Sequence, residues 1–174
     1  MIENNQAITN LHNLLNYDAS KFTSAEAELK NSLERWISKA ESLQLKIVLR
    51  KYLDFVQENL QKMESFFIEE NINAISVNNH VMLAYIMETD EKLNSCIDSA
   101  IIDACMLASI QAINHFKISM YGTAAAFANA LEMQKHASVF HEAEVKEKQI
   151  NDRLSQLAEH EINIKAKTPF ILQE

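Results

Sequence analysis

The chain has 174 residues with a single Gly, a single Pro and a formal net charge of −8. So few turn residues rule against hairpin-rich folds and suit long helices, which exclude both types from their interiors. A chain of this length buries a sizeable core without disulfides or metals, and its acidic balance excludes a sequence-independent grip on nucleic acid, which needs clustered Lys and Arg.

The opening residues MIENNQAITN lack the cationic, apolar and small-residue regions of a secretory leader. The most apolar stretch, residues 97–110, is interrupted by Asp98 and Asp103 and falls short of the roughly 20 residues a membrane span needs. The expectation is an all-α cytoplasmic protein with no nucleic acid and no membrane among its partners.

Apolar residues recur at three-and-four spacing through Ile8, Leu11, Leu15, Ala19, Phe22, Ala25, Leu29, Leu33 and Trp36, which predicts a long first helix with room for a bend over residues 16–20. A second stripe runs through Leu45, Leu49, Tyr52, Val56, Leu60, Met63 and Phe67. After the polar run EENINAISVNN, residues 80–94 read as a shorter helix whose apolar face is Val81, Met82, Tyr85 and Ile86. A third long helix starts at Cys96 and passes through Ile101, Leu107, Ile110, Ile113, Tyr121 and Ala128 to Leu131. A break over residues 132–136 leads to a fourth, through Phe140, Ala143, Ile150 and Leu154. One bundle over residues 1–166 and a tail over 167–174 containing Pro169 complete the reading, and the long connection between the second and third long helices implies a crossover.

The stripes are interrupted by polar residues. Glu26 falls between Phe22 and Leu29, Glu147 between Ala143 and Ile150, and Asn114 and Lys117 between Ile110 and Tyr121. Buried carboxylates need a metal, a cation or hydrogen bonds, because desolvating the charged form costs several kcal/mol. The alternative is that these residues sit at the stripe margins with their charged ends in solvent.

Cys96 and Cys105 lack metal-ligand spacing and read as reduced core residues. On one helix, nine residues apart, they are separated by about 13 Å and cannot form a disulfide. The cluster His141, Glu144 and Glu147 is a weak metal candidate, and the charged run EAEVKEKQINDR is a solvated helix face.

The segment DACMLASIQAINHFKISMYGTAAAFANALE, over residues 103–132, resembles the third helix of the YciE/YciF-like bacterial proteins, a ferritin-like family associated with stress responses. Its Y-G-T-A signature stands intact as Tyr121, Gly122, Thr123 and Ala124, and the likeness extends to SAEAELKNSL on the first helix and EKQINDRLSQLAEHEIN on the fourth. The resemblance implies a ferritin-like four-helix bundle with one additional shorter helix in the crossover, pairing as a homodimer to which Met82, Tyr85 and Ile86 would contribute apolar surface. Gly122 would be structural, letting a neighbouring helix approach, and a catalytic Tyr121 is the weaker reading.

Ferritin-like two-metal centres use one Glu on each of two helices and Glu-x-x-His on each of the others. None of His12, His80, His115, His136, His141 or His160 has a Glu three positions earlier. Aligned on the family pattern, Glu26 and Glu147 are kept, the two third-helix Glu positions are Asn114 and Lys117, and Gln57, Asn59 and Asn151 take further ligand positions. The expectation is a non-catalytic, stress-associated bundle with a degenerate two-metal site and no cofactor, in which Lys117 replaces the metal charge between Glu26 and Glu147. The alternative is a protein or oxidase that binds iron or manganese at an altered site.

Overall fold

The computed structural model of the protein describes residues 7–71 and 77–167. Five helices dominate: α1 (Leu11–Lys39), α2 (Leu43–Glu69), α3 (His80–Ser95), α4 (Ser99–Ala130) and α5 (Gln134–Leu157). α5 runs on through a π-helical turn, Ala158–Ile162, into a last turn, Asn163–Ala166. Among the described residues there is no strand, and no helix is long and apolar enough to cross a membrane.

α1 packs on α2, α2 on α5, α5 on α4 and α4 on α1, which closes a four-helix ring with one crossover from α2 to α4. α3 lies in that crossover and packs on the outside against α4 and α1. This is the arrangement expected of a ferritin-like bundle.

Side-chain caps set the helix starts, because the first backbone N–H groups of a helix have no partner within it. Asn10 accepts from the Asn13 N–H at 2.8 Å, Ser42 from Leu45 at 3.2 Å and Asn79 from Met82 at 3.0 Å. The tight α1–α2 connection has a further clamp: the buried Asp103 carboxylate of α4 accepts from the Glu41 N–H at 2.9 Å and the Ser42 N–H at 2.7 Å. On the outer face, Asp90 of α3 accepts from the Trp36 indole at 2.7 Å and from Arg35 at 2.8 Å, docking α3 on α1.

Several expectations are corrected at the boundaries. α4 does not begin at Cys96: Asp98 caps it, accepting from the Ala100 and Ile101 N–H groups at 2.9 and 3.2 Å, and Cys96 closes α3 instead. Ile8 lies before α1, and α1 continues through residues 16–20 as helix. The inward face of α3 is Met82, Ile86, Thr89 and Leu93, with Val81 exposed and Tyr85 half-buried. Met82 and Ile86 are therefore spent inside the molecule and offer no surface to a second copy. Of the expected tail, residues 168–174 with Pro169 lie outside the described residues, as do residues 72–76 of the crossover.

The break between α4 and α5 is shorter than expected. The Met133 N–H bonds back to the Ala128 carbonyl at 2.9 Å and the Glu132 N–H to Asn129 at 3.1 Å, a Schellman ending that puts Glu132 in the left-handed region at φ 60°. A side chain there costs on the order of 1 kcal/mol relative to glycine. Glu132→Gly is thus expected to raise the chemical denaturation midpoint by up to about 1 kcal/mol in stability, and Glu132→Val to lower it.

Candidate functional site

The buried core falls into two apolar clusters, one built around Leu29, Leu33, Trp36, Leu49, Ile110 and Leu154, the other around Leu15, Phe22, Met63, Phe66, Ala124 and Phe140. Between them, at one level of the bundle, lie Glu26 of α1, Asn59 of α2, Asn114 and Lys117 of α4, and Glu147 of α5, all buried. Each follows from its helix register: Glu26 is one turn from Phe22, Asn59 from Met63, Lys117 from Tyr121 and Glu147 from Ala143, so apolar neighbours on the same face carry these polar residues inward.

Lys117 is wholly buried, and its Nζ lies 2.9 Å from Glu26 Oε2 and 2.5 Å from Glu147 Oε1. The approach to Glu26 Oε2 lacks hydrogen-bond alignment and no other donor reaches that oxygen, so charge attraction holds the contact. Glu26 Oε1 accepts from the Tyr121 hydroxyl and from Asn59 Nδ2 at 3.2 Å. Glu147 Oε2 accepts from the Tyr52 hydroxyl at 2.9 Å and from Asn114 Nδ2. Lys117 also donates to the Tyr52 oxygen at 3.3 Å, with its ammonium 4.8 Å from the centre of that ring.

Burial acts on Lys117, Glu147 and the two tyrosines. It alone would lower the Lys117 pKa, but Glu147 and Glu26 outweigh it and hold the ammonium above its ordinary value. Burial raises the Glu147 pKa, opposed by Lys117 and reinforced by the neighbouring Glu26. The Tyr52 and Tyr121 hydroxyls are pushed well up by burial and by the carboxylates beside them, so both stay protonated and donate.

All four residues expected at the bundle centre, Glu26, Glu147, Asn114 and Lys117, are brought together. Asn59 joins them, whereas Gln57 and Asn151 make no hydrogen bond to either carboxylate. Sequence reasoning missed the hydrogen-bonding roles of Tyr52 and Tyr121, since both count as apolar members of their stripes. His141, Glu144 and Glu147 are not one cluster: His141 meets Glu144 at 3.3 Å on the surface while Glu147 points inside. What a Cβ at Gly122 would meet is the Glu144 carboxylate at 3.2 Å, so this glycine makes room for a side chain and not for a neighbouring backbone.

The residues present do not fit a two-metal centre. Two carboxylates face one another with no imidazole between them, and an ammonium occupies the oxygens a dication would take. Among the described residues no three His, Cys, Asp or Glu side chains are grouped to hold a metal ion.

Residues 10–167 match the family described as "Domain of unknown function (DUF892)". The chain belongs to the DUF892 family. A similar protein is Protein YciF of Escherichia coli (strain K12), 26% identical over 144 residues that cover 82% of this chain and 87% of YciF. The crystal structure of the E. coli stress protein YciF matches with a TM-score of 0.84 at 23% identity, over 92% of this chain and all 100% of that one. YcfI from Rhodopseudomonas palustris matches at 0.83 and 24% identity, over 87% of this chain and 96% of that one. Both likenesses show that this chain shares their fold.

With both carboxylates ionised, two negative charges against one positive leave the layer at −1. Removing the ammonium strands two buried carboxylates, so Lys117→Ala is expected to cost roughly 3–5 kcal/mol in denaturant unfolding. Lys117→Met keeps the packing and should cost less, with the smaller loss at acidic pH where the carboxylates take up protons.

Because the folded Glu147 pKa is raised from 4.5, its contribution to stability is fully present below that value and is lost as pH rises through the folded one. Stability of the parent relative to Glu147→Gln should therefore fall as pH rises above 4.5 in paired unfolding titrations. A difference that stays flat or grows would contradict this.

Proposed function

We propose that this protein is a non-catalytic, stress-associated helical bundle in which a lysine has taken over the charge role of a metal, acting in the cytoplasm as a homodimer or through a protein partner. The observation that carries the reading is the Lys117 ammonium between Glu26 and Glu147. An ammonium cannot bind dioxygen, cycle between oxidation states or polarise a substrate as a Lewis acid, and its positive charge repels a dication from the same space. What it does supply is cohesion of the helices at the bundle centre.

The stress association rests on likeness to the E. coli stress protein YciF, and the structural reading agrees with YcfI being described as a candidate structural protein. For an association surface the fold offers Val81 and Met87 on α3, with Ile97 and Ile101 beside its end, all exposed. Large apolar residues left exposed are what a partner covers. Sedimentation at tens of micromolar is expected to give a dimer, and a strict monomer would leave only the heterologous partner.

Protein purified and then incubated with ferrous iron or manganese should show far less than one metal per chain by elemental analysis. Lys117→Glu combined with Asn114→Glu removes the ammonium and adds two carboxylates, and is expected to take up metal measurably. Stoichiometric iron, manganese or zinc in the parent, lost on Glu26→Gln or Glu147→Gln, would overturn the proposal in favour of an altered metal site.

A further inference from the structure

Cys96 and Cys105, the two cysteines of the chain, do not share a helix. Cys96 closes α3 and Cys105 lies in the second turn of α4, beyond the sharp connection that Asp98 caps. The separation expected along one helix axis therefore does not apply: α3 and α4 pack side by side, with Cys96 and Cys105 on either side of their junction. Both thiols are free and half-buried, and both line an open cleft of about 650 Å³ together with Lys92, Ile97, Asp98 and Ile101. Two thiols lining one cleft across a helix junction, with solvent access, are placed for chemistry on each other.

We propose that Cys96 and Cys105 are a reversible dithiol–disulfide pair, oxidised by hydrogen peroxide, which staples the end of α3 to α4. The two sulfurs have unequal surroundings. Cys96 sits in the turn, its Sγ 3.1 Å from the Lys92 carbonyl. Cys105 packs against the apolar core, and burial followed by the nearby Cys96 pushes its thiol pKa up, so that it stays protonated. The attacking role falls to Cys96, which lies in the turn outside the apolar core, and the resolving role to Cys105.

In the first step the Cys96 thiolate attacks one peroxide oxygen. An S–O bond forms, the O–O bond breaks, and the departing hydroxide takes up a proton to leave as water. In the second, the Cys105 sulfur attacks the Cys96 sulfenic acid. An S–S bond forms, the S–O bond breaks, and the hydroxyl leaves with the Cys105 proton as a second water. Two thiols lose two electrons in all, and one peroxide is reduced to two waters. The cleft admits an oxidant of this size, and the pair stands apart from the bundle-centre layer, so the proposal does not depend on the role given to Lys117.

Reduced full-length protein treated with a small excess of hydrogen peroxide should lose about 2 Da and both titratable thiols, and regain them with dithiothreitol. Proteolytic mapping without reductant should recover Cys96 and Cys105 in one linked fragment. In Cys105→Ser the sulfenic acid on Cys96 should persist and be trapped by dimedone at least several-fold more than in the parent, while Cys96→Ser should trap little. Since Ser replacements at half-buried positions could disturb the turn, the mass and mapping results on the parent decide by themselves. Oxidation that yields only chain-to-chain disulfides, or sulfinic and sulfonic acids without the internal link, would overturn the proposal.

Discussion

The Lys117 ammonium holds two carboxylates at a depth where neither could stand alone. Moving an ion from water into the bundle costs several kcal/mol even after relaxation, and attraction recovers that only when geometry is good and the remaining lone pairs are met. Here Glu26 and Glu147 each take the ammonium on one oxygen, and neutral donors from α2 and α4 serve the other. All four long helices contribute. Apolar faces tolerate small slides, but rotating or translating any one helix by a residue would withdraw a donor from a buried charge, so the layer specifies register more strongly than it adds stability.

This dependence shapes the apolar core on both sides. Tyr52 and Tyr121 each belong to an apolar cluster by their rings and to the polar layer by their hydroxyls. The Tyr121 ring also meets Phe22 edge-on at 5.6 Å, so a change in the layer is felt in the packing beneath it. α3 is attached differently, through Asp90 to Trp36 and Arg35 on the outside, and its far end is the flank where Cys96 and Cys105 line one cleft. The centre is locked by charge, while the crossover arm is fastened by surface bonds and by a junction that oxidation can alter.

The long helices and the four central residues were legible because a charged residue inside an apolar stripe leaves a plain mark at three-and-four spacing. Tyr52 and Tyr121 left none, since a tyrosine fits an apolar stripe whether or not its hydroxyl finds a partner. Asp103 was visible only as an interruption of an apolar run, and its clamp on the α1–α2 turn is a contact between residues some sixty apart that no local pattern encodes. The cysteine placement turns on a boundary: residues 96–101 continue the helical spacing, while the cap at Asp98 restarts the chain as a new helix. Asp two residues before Ala100 is an N-cap signal, and it sets Cys96 on a different helix from Cys105.

The polarity of the central donors decides what the layer can do. A metal centre needs lone pairs aimed at a cation, so amide oxygens and phenolates would face inward. Around Glu26 and Glu147 the opposite holds. The Asn59 and Asn114 amide nitrogens point at carboxylate oxygens while their own Oδ1 atoms have no partner, and the two tyrosines, kept protonated, give hydrogens to the same carboxylates. Two dications with four carboxylates would sum to zero, whereas one ammonium with two carboxylates leaves −1, and these four neutral donors are where that surplus is spread. The layer is therefore built to solvate anions, and Lys117 is its one full positive charge instead of a residue that merely survives in a vacated metal pocket.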